Sequence, residues 1–170
     1  MPKIVKTLII LLFTWPALSW SLSSDKDQAI KIEADQLEIR DKENISFYRG
    51  NVRLQQGSLL IKADNLTLKL DEQKKVDKIT MQGKPASYQQ KAEDGPLMKG
   101  FASEMQYSSN NSTMLLLGQA KIISGSDVIE SHRIMINTQT NAIQAGDANA
   151  DSKNRVHMLI QPAKSDQTFE

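Results

Sequence analysis

The sequence predicts an all-β protein, built as an elongated, open stack of hairpin-like units. A short block with a fixed apolar pattern recurs four times, its apolar residues alternate with polar ones, and the segments between strands are polar turn formers. Alternation with a period of two is the pattern of half-buried β-strands. After residue 22 no segment keeps apolar residues at helical spacing for three turns.

The first 21 residues have the layout of a secretory signal peptide. Lys3 and Lys6 precede an apolar run from Leu8 to Leu18, which ends in small residues around Ser19 and Ser21. That run is about eleven residues long, whereas a membrane-spanning helix needs roughly 20. We therefore expect cleavage near residue 21, with a single domain over 22–170 in which 162–170 is a flexible tail. A retained segment that anchors the chain in the inner membrane is the alternative.

Each repeated block is centred on a small anchor residue. The anchors are Ala34, Ala63, Ala102 and Ser131, which stand 29, 39 and 29 residues apart. The longer interval contains the polar stretch 90–96, which indicates a loop inserted into a unit of about 29 residues. Each unit also has a second half, centred on Gly50, Gly83, Gly118 or Gly146.

The apolar alternation changes parity at each anchor. Ile32 precedes Ala34 by two residues, but Leu37 follows it by three. A slip of one residue would turn the later side chains to the other face of the sheet, so we expect a bulge or a corner that restores the apolar set to one interior. Asp35 and Asp64 suit such a corner, and this role accounts for them better than acid–base catalysis.

Composition narrows the possible functions. The leader holds two of the 21 basic residues and none of the 20 acidic ones, so the rest is nearly neutral and lacks the basic character of a nucleic-acid-binding protein. The absence of cysteine excludes disulfides and thiolate sites. His132 and His157 lack metal-site spacing, and no nucleophile or phosphate-loop motif is present. We expect no enzyme activity, cofactor or metal.

Both ends of the predicted stack are unpaired strands with little edge protection. The first includes Ile30, Lys31 and Ile32, and the last includes Val156, Met158, Leu159 and Ile160. Exposed edges are templates for pairing with another chain. We expect these two segments to be the surfaces of end-to-end assembly. Hairpin loops are expected at 41–44, 71–75, 108–112 and 137–141.

Three ordered motifs resemble the LptA family, which is built on the organic-solvent-tolerance A (OstA) domain. They are Ile30-x-Ile32-x-Ala34-Asp35-x-Leu37, Phe47-x-x-Gly50-Asn51-Val52, and Gln56-Gly57-x-x-x-Ile61-x-Ala63-Asp64, and later segments match in order as far as Ile160. The last unit departs from the pattern, because Ser131-His132 replaces the Ala-Asp pair.

The resemblance implies a slightly twisted β-jellyroll with an apolar groove, in a periplasmic protein of lipopolysaccharide transport. It further implies that copies join end to end into a bridge to the outer membrane, with homologous jellyroll domains of the inner-membrane component and the outer-membrane translocon as partners. Acyl chains of lipid A would slide in the groove while the sugars stay outside.

The candidates for lining this groove are alternating apolar residues, and periodicity alone also fits an ordinary closed core, as in a structural or carbohydrate-binding β-solenoid. They are Ile30, Ile32, Leu37, Ile39, Phe47, Val52, Leu54, Ile61, Leu66, Leu68, Tyr88, Met105, Tyr107, Leu115, Leu117, Ile122, Ile129, Ile134 and Ile136.

Overall fold

The computed structural model describes Asp25 and residues 28–91, 95–147 and 155–161. The predicted leader, 1–21, and the predicted tail, 162–170, lie outside this part of the chain. The described part contains ten strands and a 3₁₀ turn at Asp41–Glu43, and none of its helices is long and apolar enough to cross a membrane. The strands are β1 Lys31–Glu33, β2 Gln36–Arg40, β3 Ile45–Gln56, β4 Leu59–Leu70, β5 Val76–Lys91, β6 Leu97–Ser108, β7 Thr113–Ser124, β8 Asp127–Asn137, β9 Ile143–Ala145 and β10 His157–Leu159.

All ten strands form one open antiparallel sheet. Its order is β1-β3-β4-β5-β6-β7-β8-β10, with β2 beside β1 on β3 and β9 beside β10 on β8. The strands β3 to β8 are therefore a meander in which each strand pairs with its neighbours in sequence. This confirms the all-β, open, hairpin-built fold, and polar turns connect the strands at the four predicted loops.

A row of irregularities crosses the middle of the sheet, where the anchors lie. Along β4 the buried residues Ala63 and Leu66 are three positions apart, so the inward-facing residues change from one alternate set to the other. The neighbouring strand β3 has one more residue than β4 between the two positions that pair with Ala63 and Leu66. That extra length lies at Gly50 and Asn51, whose φ angles are +76° and +47°. Left-handed backbone is accessible to glycine and tolerated by asparagine. The glycine in the second half of one unit therefore absorbs the parity change at the anchor of the next strand.

The same device recurs further along the sheet. Gly118 and Gln119 of β7, with φ of +72° and +52°, supply the extra residue opposite the anchors of β6 and β8. Between Gln82 and Ala86, β5 carries two extra residues and contains the cis bond Lys84–Pro85. Bulges bend and twist the strands that carry them. We call this row the corner, because it divides the sheet into two parts.

The part that contains β1 and β10 we call wing A, and it comprises 31–33, 52–56, 59–63, 86–91, 97–102, 120–124, 127–131 and 157–159. The part that contains β2 and β9 we call wing B, and it comprises 36–40, 45–49, 65–70, 76–82, 104–108, 113–117, 133–137 and 143–145. Leu116 pairs with Met105 in wing B, yet a β-carbon built on Gly100 in wing A would lie 3.2 Å from Leu116 Cδ2. Five residues of a straight strand span about 16 Å, so the corner folds one wing towards the other.

Asp35 ties the first edge to the corner, as the sequence predicts. Its backbone N–H donates to the Gly50 carbonyl at 3.0 Å, and its Oδ2 accepts from Asn51 Nδ2 at 2.8 Å. These bonds occupy the gap between β1 and β2, where the edge leaves the ladder. Asp64 lies at the corner of β4 and is exposed.

Candidate functional site

The inner faces of the two wings form the candidate site. In wing B a row of cross-strand neighbours runs from Leu37 on β2 through Leu66 and Met105 to Ile134 on β8. In wing A a second row runs from Ile32 on β1 to Met158 on β10. Both rows belong to one apolar cluster at their centre. The inner face is therefore an apolar band that reaches from one edge of the sheet to the other.

Exposure changes along this band. Leu66, Met105 and Ile134 are at most 1% exposed, whereas Leu37 is 55% exposed and Met158 is 58% exposed. The middle of the band is packed with the protein's own side chains, and its two ends are open. Apolar residues near the strand ends, among them Leu59, Leu68, Met98 and Tyr107, are only partly buried.

Most of the residues predicted to face inward do so. Leu37 and Ile39 share the inner rows of wing B at the edge of the sheet, and Ile30 precedes β1 with 41% of its surface exposed. The others are buried in the cluster or packed on its border, namely Ile32, Val52, Leu54, Ile61, Leu66, Leu68, Tyr88, Met105, Tyr107, Ile122, Ile129, Ile134 and Ile136.

Phe47, Leu115 and Leu117 lie on the outer face, so the predicted inward direction is wrong for these three. Leu115 pairs with Gln106 and Met135, between the buried Met114 and Leu116. In the run Met114–Leu117 every residue is apolar, so alternation does not reveal which residues face inward.

Phe47 points to the outer face of the sheet for a different reason. The guanidinium groups of Arg40 and Arg49 lie 4.8 and 5.8 Å from the centre of its ring. Both arginines also make ion pairs with Glu38, its neighbour across the strands. The ring is thus covered by cations without entering the core.

Several core residues were not among the predicted ones. Ile79, Met81, Met114 and Leu116 are buried, and Tyr48 packs against them. The alternation Ile79-x-Met81 would have been sufficient to find the first two. No such alternation marks Leu116 as a core residue. Its inward direction depends on the extra residue that β7 carries at the corner.

Segments predicted as assembly edges do lie at the two ends of the sheet. β1 is the first strand in the sheet order and β10 is the last. Val156, Leu159 and Ile160 are between 44% and 64% exposed. Of the large apolar side chains that are exposed in the described part, all but Leu97 lie on or beside an edge strand, namely Ile30, Leu37, Ile39, Val156, Met158, Leu159 and Ile160.

A polar network closes the free end of wing A. Asp25 accepts hydrogen bonds from the amide and hydroxyl of Ser58 and from Gln90 Nε2, and the Ser58 bonds hold the pKa of this carboxyl below its ordinary value. The Tyr88 hydroxyl donates to Gln90 Oε1 at 3.0 Å. Burial, with the nearby Asp25 charge, raises the pKa of Tyr88 to about 12. The Tyr88 phenol therefore stays protonated to a higher pH than an exposed tyrosine, and it brings no charge into the interior.

A buried polar side chain, Ser131, lies in the interior at the position where the last unit departs from the family pattern. Ser131 is 8% exposed, and its hydroxyl has no hydrogen-bond partner among the described residues. The equivalent anchors Ala63 and Ala102 are buried without any polar atom on their side chains. His132 and His157 are exposed, and no group of three metal-binding side chains occurs in the described ranges.

Comparison with known proteins matches this architecture. Residues 31–142 match the family model described as "LptA/(LptD N-terminal domain) LPS transport protein". The chain is 34% identical over 156 residues to the lipopolysaccharide export system protein LptH of Pseudomonas aeruginosa, covering 89% of each chain. It is 29% identical over 148 residues to LptA of Escherichia coli K12, covering 86% of this chain and 78% of that protein.

The crystal structure of LptH from P. aeruginosa, described as the LptA-homologous periplasmic component of the lipopolysaccharide transport device, superposes with a TM-score of 0.74. The match covers 82% of this chain and all of the LptH chain, at 34% identity.

Proposed function

The chain belongs to the LptA/LptD N-terminal domain family of lipopolysaccharide transport proteins, and from this premise we propose that it binds lipopolysaccharide between its two wings and forms part of an end-to-end periplasmic bridge. Members of this family are transport proteins and not enzymes, which agrees with the prediction from sequence. The observation that carries the proposal is the apolar band of the inner faces, which is continuous from β1 to β10 and open at both ends.

The acyl chains of lipopolysaccharide favour binding to such an apolar band. An acyl chain exposed to water costs about 0.8 kcal/mol for each CH₂, so several chains on one glycolipid form a large barrier to crossing an aqueous compartment. Partly exposed apolar residues such as Leu68 and Tyr107 offer an apolar surface along the strand ends of wing B. Movement along this surface requires no chemistry in the protein.

We propose that copies of the chain assemble through the edge strands β1 and β10. A copy that docks β1 against β10 of another would pair the free side of each strand and cover exposed apolar residues such as Ile30 and Met158. It would also join the two inner faces into a longer band. The edges suit homologous domains of the inner-membrane and outer-membrane components in the same way. The short leader supports export to the periplasm with removal of residues 1–21.

A closed structural core is the alternative to a lipid-binding groove, because the middle of the band is buried. Met81 and Leu116 are completely buried, so acyl chains reach that part only if the wings separate. The two readings differ in whether inner-face residues contact lipid.

Site-specific photocrosslinking to lipopolysaccharide decides between them. Photoreactive residues at Leu37 and Tyr107, on the inner face, are expected to crosslink, whereas residues at Glu38 and Gln106, their outward neighbours, are not. Each variant must retain the circular dichroism spectrum of the parent. Equal crosslinking from both faces, or none from either face, would contradict the proposal and favour the closed core.

A further inference from the structure

One row of residues crosses the outer face of wing A from the first edge of the sheet to the last. It begins at Glu33 on β1, passes Arg53 on β3 and reaches Lys121, Glu130 and His157 through successive directly opposed pairs. Glu33 lies opposite Arg53, and Glu130 lies opposite both Lys121 and His157. The row therefore ends in a carboxylate at one edge, and in an imidazole beside a carboxylate at the other.

The strand directions allow a second copy to continue this row. Each strand in the order from β1 to β10 is antiparallel to its neighbour, and the order contains eight strands, so β1 and β10 run in opposite directions. A copy that follows the first in the same orientation presents its β1 antiparallel to β10. When every residue keeps its distance from the corner, Glu33 of the second copy faces His157.

The inner face is compatible with the same alignment. Ile32 of the second copy meets Met158, and Ile30 meets Ile160 one pair further from the corner. Ile30, Met158 and Ile160 are 41%, 58% and 64% exposed in the single chain, and this pairing would cover them. The apolar band then passes from one copy to the next.

Displaced alignments are less favourable. A slip of one residue joins the outer face of one copy to the inner face of the other. A slip of two residues in one direction brings Glu33 beside Arg155 but Lys31 beside His157, so that attraction in one pair is offset by repulsion in the next. A slip of two in the other direction leaves Glu33 beside Leu159. The charges of the two edge strands therefore favour one register.

We propose that a second copy docks its β1 on β10 in this register, with the His157 imidazole between Glu130 of its own β8 and Glu33 of the second copy, so that assembly takes up a proton at His157. The inference rests on the proposed end-to-end assembly and adds its alignment and its dependence on pH. Directly opposed side chains have β-carbons about 4.5–5.5 Å apart, so both carboxylates are within reach of the imidazole. Histidine changes its charge between about pH 5 and 8.

Within its own copy His157 already lies beside one carboxylate. Glu130 is directly opposite on β8, and the hydrogen bond and charge of Lys121 lower its pKa, with a smaller contribution from His157. Arg155 lies two residues earlier on β10, and His132 is the diagonal neighbour on β8. These two basic residues are about 7 Å or more from His157, which is farther than Glu130.

The second copy brings negative charge closest to His157. Glu33 is directly opposite, and its side chain is 56% exposed. The two diagonal neighbours, Lys31 and Asp35, have opposite charges, and Lys31 is paired with Glu33 at 3.0 Å. Arg53 lies one strand further, about 9.6 Å from β10. The assembled state therefore binds the His157 proton more tightly than the free protein does, and assembly becomes tighter as the pH falls.

The first test measures assembly against pH. Sedimentation velocity of the full mature protein at constant ionic strength should give a dissociation constant about two- to fivefold lower at about pH 6 than at about pH 8. His157→Gln and Glu33→Gln should each remove this dependence, whereas His157→Lys, with a fixed charge, should assemble equally well at both values. His132→Gln removes the other histidine of the chain and, as the control, should keep the dependence. His157 and Glu33 are exposed, so these variants should retain the circular dichroism spectrum of the parent.

The second test measures the register. The chain contains no cysteine, so an Ile32→Cys copy can be mixed with a Met158→Cys copy, whose directly opposed positions suit a disulfide. This mixture should crosslink faster than Ile32→Cys mixed with Ile160→Cys, in which the two positions are displaced. Faster crosslinking of the displaced pair would overturn the proposal, as would assembly of the parent that ignores pH or a dependence that persists in His157→Gln. Those results leave edge assembly and transport standing, whereas the absence of oligomers and of both crosslinks would overturn the proposed end-to-end assembly as well.

Discussion

Leu116 in wing B lies against Gly100 in wing A, so close that a β-carbon on Gly100 would stand 3.2 Å from Leu116 Cδ2 and 3.3 Å from a ring carbon of Tyr88. Gly100 is buried in the interior and is the only member of its cross-strand row without a side chain. The missing side chain allows the wings to approach each other at this point.

We therefore expect Gly100→Val to lower the free energy of unfolding by about 1–3 kcal/mol, because the added methyl groups overpack the interior. Valine favours strands, so a loss of stability would come from packing and not from backbone preference. Chemical denaturation followed by circular dichroism measures the change. Thr80→Val on the outer face is the control, with an expected effect within about 0.5 kcal/mol. Unchanged stability in Gly100→Val would contradict the contact between the wings.

Replacing Ser131 by alanine should stabilise the protein. The buried hydroxyl has no partner in the described structure, and an unsatisfied polar group in such a place costs about 1–3 kcal/mol. Alanine occupies the equivalent anchors and leaves only a small void. The midpoint of thermal unfolding should rise in Ser131→Ala and stay constant in Ser103→Ala, whose side chain is exposed. A fall in the midpoint would mean that Ser131 has a favourable role.

Sequence reasoning succeeded where alternation and packing agree. Leu66 and Tyr88 alternate cleanly with polar neighbours, and both are buried. It also located the corner, because a change of parity at Ala63 requires a bulge or a bend nearby to return the apolar side chains to one interior. The sequence did not reveal that the extra residue lies on the adjoining strand, at Gly50. The alternation within one strand does not show how that strand is aligned with its neighbour.

The remaining features depend on contacts between distant residues. Phe47 is apolar and has the pattern of a core residue, but Arg40 and Arg49 cover it on the outer face. Asp25 bonds to Ser58 and to Gln90, 33 and 65 residues away. No local pattern contains such information.

The Asp25 network should depend on pH. Ser58 lowers the pKa of Asp25 in the folded protein, so the carboxylate contributes stability above the unfolded pKa of about 3.9, and this contribution is lost as the pH falls through the lower folded value. The Ser58 amide, which donates to Asp25 at 2.8 Å, should shift in NMR spectra over that acid range. Asp25→Asn should abolish the shift, and a shift that persists in this variant would exclude Asp25 as its source.

A positive charge on the last strand should weaken assembly. Leu159 on β10 is 56% exposed, and edge lysines oppose pairing between sheets. Leu159→Lys should move the protein towards monomer in analytical ultracentrifugation at a fixed concentration. Leu97→Lys is the matched control, because Leu97 is 40% exposed but begins an interior strand, so its oligomers should persist. Equal effects of the two variants would exclude β10 as the assembly edge.

The order of strands in the sheet also has a consequence for how the chain acquires its structure. From β3 to β8 every strand pairs with the one made just before it, so a chain that emerges from a pore with its N-terminus first can add each strand to an existing template. Local pairing of this kind keeps loop-closure entropy small and favours rapid folding. The growing edge is always the newest strand, and Asp35, bonded to Gly50 and Asn51, fixes the first hairpin on which the others are laid.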